Sequence, residues 1–207
     1  IALNSNISKA NQIINEHSPM FVYIEEANEI LLEKSISEGS LSVLNGKAEL
    51  KELLNDSNVD VIISAISGFA GLETTLIAAK TGKVILLANK ESIVVAGDII
   101  LPLAKEYGST IIPIDSEHNA IFQCLASEKN TNDVSKIIIT ASGGPFEGKK
   151  LLDLKDVTQK EALNHPNWDM GSKISIDSAT LVNKCLELIE ARYLFDLNEK
   201  YFELVIH

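Results

Sequence analysis

Val59-Asp60-Val61-Ile62-Ile63-Ser64-Ala65-Ile66 is an almost unbroken apolar, β-branched run that ends at Ser67-Gly68. Such a run reads as a strand buried on both faces of a parallel sheet, because a half-wetted strand would alternate apolar with polar residues. A second run of this kind, Val84 to Ala88, follows an apolar-periodic helix at Leu72 to Lys80 that Thr81-Gly82 stops. A third, Thr110 to Asp115, follows a helix at Ile99 to Tyr107 stopped by Gly108. Upstream, Phe21 to Ile24 reads as a strand, and Asn28 to Lys34 and Gly46 to Asn55 as helices. Strands separated by single helices imply an α/β fold with a doubly wound sheet, whose ligands sit at the carboxyl ends of the strands. Three loops fall there: Ser67 to Gly71, Asn89 to Ser92 and Asp115 to His118.

From residue 116 the pattern changes. Asn119 to Ala126 reads as a helix and Lys129 to Asp133 as a polar linker. Ile137 to Thr140 reads as another buried strand, running into the Gly-rich loop Ala141 to Phe146. Residues 143–172 hold several Gly, two Pro and the only Trp, which reads as a long lid segment. Ile174 to Phe195 reads as strand or turn, then a long helix from about Ala179. The division expected is residues 1–115 as one domain and 116–207 as a second.

Composition narrows the partners. The chain has 207 residues, 45% hydrophobic and 23% charged, with a net charge of −11. That acidity argues against nucleic acid and against anionic membrane surfaces as main partners, since both require Lys and Arg in number. No stretch approaches the roughly 20 apolar residues of a transmembrane helix, and no targeting segment is evident. Cys124 and Cys185 form no Cys-x-x-Cys pair and read as reduced thiols. The chain opens without Met in what reads as the end of a strand and stops just after the apolar run Phe202 to Ile206, so both ends read as cuts within a longer protein.

The candidate chemistry lies in a few patterns. Asp115 and Glu117, two apart on an extended segment, would face the same way, and paired carboxylates stay ionised beside a cation such as Mg²⁺ or Mn²⁺. Alone, such a pair is more often a solvated acidic turn. Asn183, Lys184 and Glu187 share a helix face, and Ser178 would lie near that helix's N-terminus, where N–H groups attract anions. A phosphate, a sugar hydroxyl and a metal would suit this set, although a capped helix with a Lys–Glu pair is the plainer reading. Ser142-Gly143-Gly144 lets the backbone approach a phosphate. His165 and Trp168 sit on the suspected lid. His118 would orient or pack beside the acidic turn. Asn89-Lys90-Glu91-Ser92 is either a helix cap or a contact to a phosphate or ribose.

Six segments together resemble one family closely: SAISGFAGL (64–72), LLANKES (86–92), PIDSEHNAIFQ (113–123), TASGGPF (140–146), HPNWDMGSKISIDSATLVNK (165–184) and LELIEARYLF (186–195). The family is 1-deoxy-D-xylulose 5-phosphate reductoisomerase, and the resemblance runs from about residue 60 to 207. It implies a Rossmann-like NADPH-binding domain over 1–115, followed by an α+β catalytic domain over 116–207. It implies metal ligation (Mg²⁺ or Mn²⁺) by Asp115, Glu117 and Glu187. Substrate binding falls to Ser116, Ser142, His165, Trp168, Ser178, Asn183, Lys184 and Glu187, with catalytic roles for Lys184, Glu117 and His165. Gly68, Asn89, Lys90, Glu91, Met170 and Gly171 would contact NADPH. The implied activity is an NADPH-dependent oxidoreductase of non-mevalonate isoprenoid biosynthesis: a rearrangement by retro-aldol cleavage and re-addition, then reduction. A sugar phosphate substrate, a homodimer and a cytoplasmic or plastid-type location follow from the same resemblance. The family's first strand and Gly-rich dinucleotide loop would precede Ile1, and more of the catalytic domain with a helical domain would follow His207. A chain of 207 residues alone is therefore expected to be inactive. Other readings are an inactive sugar-phosphate or dinucleotide-binding module, or a homoserine dehydrogenase-like enzyme, which would not need the His165-to-Gly171 motif.

Overall fold

The structure is a computed structural model that describes residues 1–3, 6–25, 41–44, 46–126 and 133–207. The helix expected at Asn28 to Lys34 and most of the linker at Lys129 to Asp133 lie outside these residues. The chain divides into two compact units, Ile1–Asp60 and Val61–His207.

In the first unit, β1 (Ala2–Leu3), β2 (Phe21–Ile24) and β3 (Ser42–Leu44) form a parallel sheet in that order. Helix α1 (Ile7–His17) begins at Asn6, whose side chain accepts from Lys9 N, and ends at Ser18 in the left-handed region. Capping satisfies donors that the first turn leaves without partners. Ala10 and Ile14, four apart on α1, pack with Val22, Ile24 and Leu41 in the unit's core. Helix α2 (Gly46–Asn55) follows, burying Leu50.

The second unit begins with β4 (Val61–Ser64), β5 (Val84–Leu87) and β6 (Thr110–Pro113), all parallel, with Val61 opposite Val84 and Val84 opposite Thr110. Helices α3 (Gly71–Ala79) and α4 (Lys90–Tyr107) make the crossovers. Ile62, Ile85 and Leu87 are buried, and Leu87 packs with Ala79, Ile93 and Ile100 of the two helices. The apolar run of β4 departs from expectation: Val61 and Ile63 are exposed, 48% and 64%. Successive strand residues face opposite ways, so an all-apolar run gives no sign of which face is covered.

Helix α4 is longer than expected. It starts at Asn89, whose Oδ1 accepts from Ser92 N, so Asn89 caps the helix. It breaks at Ala96 (φ −141°) and ends at Gly108 with φ 77°. Helix α5 (Ser116–Leu125) also starts early, with Asp115 at its N-cap position. Asp115 and Glu117 therefore do not lie on an extended segment as expected; they occupy the cap and first turn of a helix, where the helix dipole favours carboxylates.

Strand β7 (Ile137–Ala141) pairs in parallel with β8 (Phe202–Ile206), and Ile137 and Ile139 pack with Ile121 of α5 and Ala191. Between residues 143 and 172 lie a 3-10 turn at Leu151–Leu154 and helix α6 (Gln159–Leu163), the latter opened by a Thr158/Glu161 capping box. Ile174 to Ser178 is not a strand or turn. It lies in helix α7 (Ser172–Ala179), separated from α8 (Val182–Phe195) by Leu181 at φ 60°. The alternation of Ile174, Ser175 and Ile176 mimics a strand, but Ser175 and Ala179, four apart, are the buried pair. Ser178 consequently sits in the last turn of α7, not at a helix N-terminus.

Helix α8 lies against α4 at Gly97, where a Cβ would fall 2.8–3.0 Å from the Tyr193 ring. Tyr193 also donates to Asp98 at 3.1 Å. Gly97→Ala should lower stability by about 1–3 kcal/mol through overpacking. The measurement is chemical denaturation, with the midpoint falling at unchanged slope; an unchanged midpoint would show that the ring yields freely.

Candidate active site

The loops after β5, β6 and β7 and the first turns of α8 meet around a cavity of about 920 Å³ within the second unit. Its wall includes Lys90, Asp115, Ser116, Glu117, Ser142, His165, Trp168, Met170, Ser178, Asn183, Lys184 and Glu187. Carboxylate oxygens of Asp115, Glu117 and Glu187 lie within 4.8 Å of one another, two from the start of α5 and one from α8.

Two ammonium groups hold these carboxylates together. Lys90 Nζ pairs with Asp115 and donates to Glu187 Oε1 at 3.2 Å and Asn183 Oδ1 at 3.1 Å. Lys184 Nζ pairs with Glu117 and donates to Glu187 Oε2 at 2.7 Å. Asn183 Nδ2 adds a bond of 2.5 Å to Glu187 Oε1, and Ser116 Oγ donates to Glu117 Oε2 at 2.7 Å. Glu187 is 1% exposed and Lys90 6%, so these charges interact with little screening. Burial would lower the Lys90 ammonium, but Asp115 and Glu187 outweigh it and raise it. Burial would raise Asp115, yet its bond with His118 and the charge of Lys90 hold it well below the usual carboxylate range.

Behind the centre, His118 is fully buried and stacks on Phe195, ring centroids 6.4 Å apart. Its Nδ1 lies 3.1 Å from Asp115 Oδ1 and its Nε2 2.8 Å from the Glu187 carbonyl. Burial would lower this imidazole, but Asp115, the Glu190 charge and the Glu187 carbonyl raise it. Glu190, also fully buried, is pushed up to about 7 by burial, against the pull of His118.

Across the cavity, His165 Nδ1 faces the backbone N–H groups of Asn167 and Trp168 at 3.2 and 3.1 Å, so it accepts. The ring proton then belongs on Nε2, which donates to Ser142 Oγ at 3.0 Å. That leaves the Ser142 hydroxyl proton available to an anion. The loop holding Ser142 needs glycine: Gly144 has φ 74°, and a Cβ there would meet Ser178 O at 2.8 Å.

The remaining expected residues divide. Asn89 Nδ2 donates to Ile66 O (2.7 Å), Gly68 O (2.9 Å) and Glu91 Oε2 (3.0 Å), clasping the turn after β4. Gly68, Asn89 and Glu91 are thus brought together. Lys90, expected at that nucleotide edge, points instead into the carboxylate centre. Met170 lines the cavity, whereas Gly171 caps α7 and accepts from Ser175 Oγ at 3.0 Å. Sequence reasoning missed Glu190. Its one signal was the spacing of Glu187 and Glu190, a single helical turn.

Two family models cover most of the chain: 1-deoxy-D-xylulose 5-phosphate reductoisomerase over residues 1–97, and the C-terminal domain of that enzyme over 111–195. The chain belongs to the 1-deoxy-D-xylulose 5-phosphate reductoisomerase family. The reductoisomerase of Geobacillus sp. (strain WCH70) is 45% identical over 207 residues, all of this chain and 54% of its own length. That of Clostridium perfringens is 47% identical over 210 residues, again 54% of its length. The chain therefore spans about half the length of the curated reductoisomerases it matches. A crystal structure of DOX-P reductoisomerase in complex with NADPH, fosmidomycin and magnesium superimposes with a TM-score of 0.90 at 44% identity, covering 100% of this chain and 53% of that one. The Zymomonas mobilis reductoisomerase in complex with NADPH gives 0.83 at 40% identity, with 100% and 53% covered. The fold, α/β with parallel sheets, is that of the reductoisomerases.

Lys90→Met tests the charge balance of the centre. The substitution leaves Asp115 and Glu187 buried beside one ammonium fewer, and should cost about 3 kcal/mol at pH 7. Asp115 contributes stability above its unfolded-state value near pH 3.9, lost as pH falls through its lower folded-state value. In the variant Asp115 loses the Lys90 charge, has a higher folded-state value and takes up its proton sooner, so the stability gap to wild type should narrow between pH 7 and pH 5. Denaturant titrations at the two pH values measure it.

Proposed function

We propose that this site serves a metal-dependent, NADPH-linked reductoisomerase that converts 1-deoxy-D-xylulose 5-phosphate to 2-C-methyl-D-erythritol 4-phosphate in non-mevalonate isoprenoid biosynthesis. The observation that carries this reading is the convergence of Asp115, Glu117 and Glu187 in the cavity that also presents the Ser142–His165 pair. Relatives with the same fold are seen with NADPH and magnesium, which supports it.

Three carboxylates from two elements offer an all-oxygen donor set, which fits a hard cation such as Mg²⁺ or Mn²⁺. Asp115, Glu117 and Glu187 would hold that ion, which would supply Lewis-acid polarisation and a template for the ketone and hydroxyl oxygens of the sugar. NADPH would supply the hydride. The chain's own groups bind and orient. Ser142 donates to the phosphate, its hydroxyl oriented by His165, with Ser178 and Asn183 nearby. Lys184 stands between Glu117 and Glu187, placed to meet a developing negative charge on a substrate oxygen, and Glu117 and Ser116 face the same space. Trp168, 64% exposed, is the indole available to cover the substrate. Phosphate binding away from the reacting carbons contributes energy for closure. Gly68, Asn89 and Glu91 form the nucleotide edge, with Met170 and Gly171 toward the nicotinamide.

Residues 1–115 would form the NADPH-binding part and 116–207 the catalytic part, with 143–172 as lid. The working protein would be a homodimer in a bacterial cytoplasm or a plastid-type organelle. Among the described residues, no helix is long and apolar enough to cross a membrane.

The test is turnover by the full-length protein with 1-deoxy-D-xylulose 5-phosphate, NADPH and Mn²⁺, followed as NADPH oxidation. Glu187→Gln removes a ligand from a centre worth several kcal/mol, so its rate should fall by on the order of a hundredfold or more. Wild-type turnover by the variant would remove Glu187 from the metal centre.

A further inference from the structure

We infer that Glu190 is a positioning residue of the carboxylate centre, acting through the ring of His118 to fix Asp115 relative to Glu187. The inference rests on the metal-centre reading above. Glu190 follows Glu187 by one turn of α8, and its relative exposure is 0%. Among the described residues neither of its carboxylate oxygens has a hydrogen-bond partner, which is rare and costly for a buried carboxylate. Its close neighbour of opposite character is His118, whose Nδ1 lies 3.4 Å from Glu190 Oε2.

The ring is the piece through which Glu190 acts. The groups facing its nitrogens are Asp115 Oδ1 and Glu190 Oε2 at Nδ1 and the Glu187 carbonyl at Nε2. The ring is held between oxygens at both nitrogens, and Glu190 packs against it from inside the fold. Asp115 meets the ring with one oxygen only, its other being paired with Lys90. Glu190, the other carboxylate against the ring, makes no hydrogen bond of its own among the described residues. With the ring also stacked on Phe195, one rigid imidazole spans from the N-cap of α5 to the backbone of α8. It joins two of the three candidate metal ligands, and Glu190 holds it in that role.

The same three side chains, Asp115, His118 and Glu190, also offer ligand atoms within 4.8 Å of one another. They are read as a brace and not as a second ion site, because both ring nitrogens are already engaged by protein oxygens, Asp115 Oδ1 and the Glu187 carbonyl.

Mn²⁺ binding to the full-length protein, followed by loss of the free-ion electron paramagnetic resonance signal, separates the possibilities. Wild type should bind one ion per chain at this centre. Glu190→Gln should bind it about ten- to a hundredfold more weakly, the range for residues that orient metal ligands. Its melting temperature without metal should fall little, and Glu190→Met, an apolar filler, should show the same weakened binding with melting unchanged or raised. Adding His118→Gln to Glu190→Gln should weaken binding no further than His118→Gln alone, since the two act as one unit. Wild-type affinity in either Glu190 variant overturns the inference. So does a second bound ion in wild type that Glu190→Gln abolishes. Unaltered binding by Glu187→Gln instead overturns the metal-centre reading itself.

Discussion

Carboxylate repulsion is the constraint around which the second unit is arranged. Asp115, Glu117 and Glu187 approach within 4.8 Å, largely out of solvent, where like charges are expensive. No single element could bring them there. Asp115 and Glu117 come from the start of α5, directly after β6, and Glu187 from the second turn of α8. The compensating groups come from two further places: Lys90 from the first turn of α4, after β5, and Lys184 from α8 itself. The carboxyl ends of β5 and β6 must therefore lie side by side, as their parallel register places them, and α8 must pack on α4. Close contact at Gly97 and Tyr193 serves that second requirement.

The same constraint explains what could be read from sequence and what could not. The parallel strands and their helices were legible, because apolar runs and Gly stops are local signals. The burial of β4 was not, since alternation hides which face is covered when every residue is apolar. The start of α5 was also obscured: Asp115 to His118 looks like an acidic loop, and only the helix dipole and the cap position turn it into a helix. The Ile174-to-Ser178 alternation misled for the opposite reason, presenting strand periodicity where helix packing on Ser175 and Ala179 prevails. Among site residues, Asp115 with Glu117, and Asn183 and Lys184 with Glu187, could be grouped by type and spacing, but only the family resemblance joined the two groups. Lys90 was expected at the nucleotide edge, since no local pattern ties it to partners as distant as Asp115, Asn183 and Glu187. Glu190 is more instructive. Sequence offers a Glu one turn from another Glu on a helix, which is ordinary, and only its complete burial beneath His118 makes it informative.

The two histidines show how one side chain takes opposite parts. At His165, backbone N–H groups face Nδ1, so that nitrogen accepts and the other donates to Ser142. At His118 both nitrogens face acceptors. Nothing in the residue type distinguishes them. What does is the neighbouring backbone: a tight turn, Pro166-Asn167-Trp168, turns its N–H groups back on His165, whereas a helix interior offers His118 a carbonyl. The first arrangement frees a hydroxyl proton toward the cavity, and the second ties two elements together behind it.

Charge bookkeeping links these parts to the proposed ligand. Three carboxylates facing two ammoniums leave the centre with one net negative charge, in a chain whose overall balance is −11. An anionic sugar phosphate would be repelled by that arrangement as it stands. A divalent cation at the same oxygens reverses the sign to one net positive, so cation and anionic ligand favour each other's binding. The lysines then have a double consequence: they let the carboxylates gather without the ion, and they would leave the cavity positive once it is bound. Fewer ammoniums would leave a metal-loaded centre neutral or negative, and more would compete the metal away. Two lysines against three carboxylates is the balance that would allow metal, phosphate and an acidic protein surface to coexist.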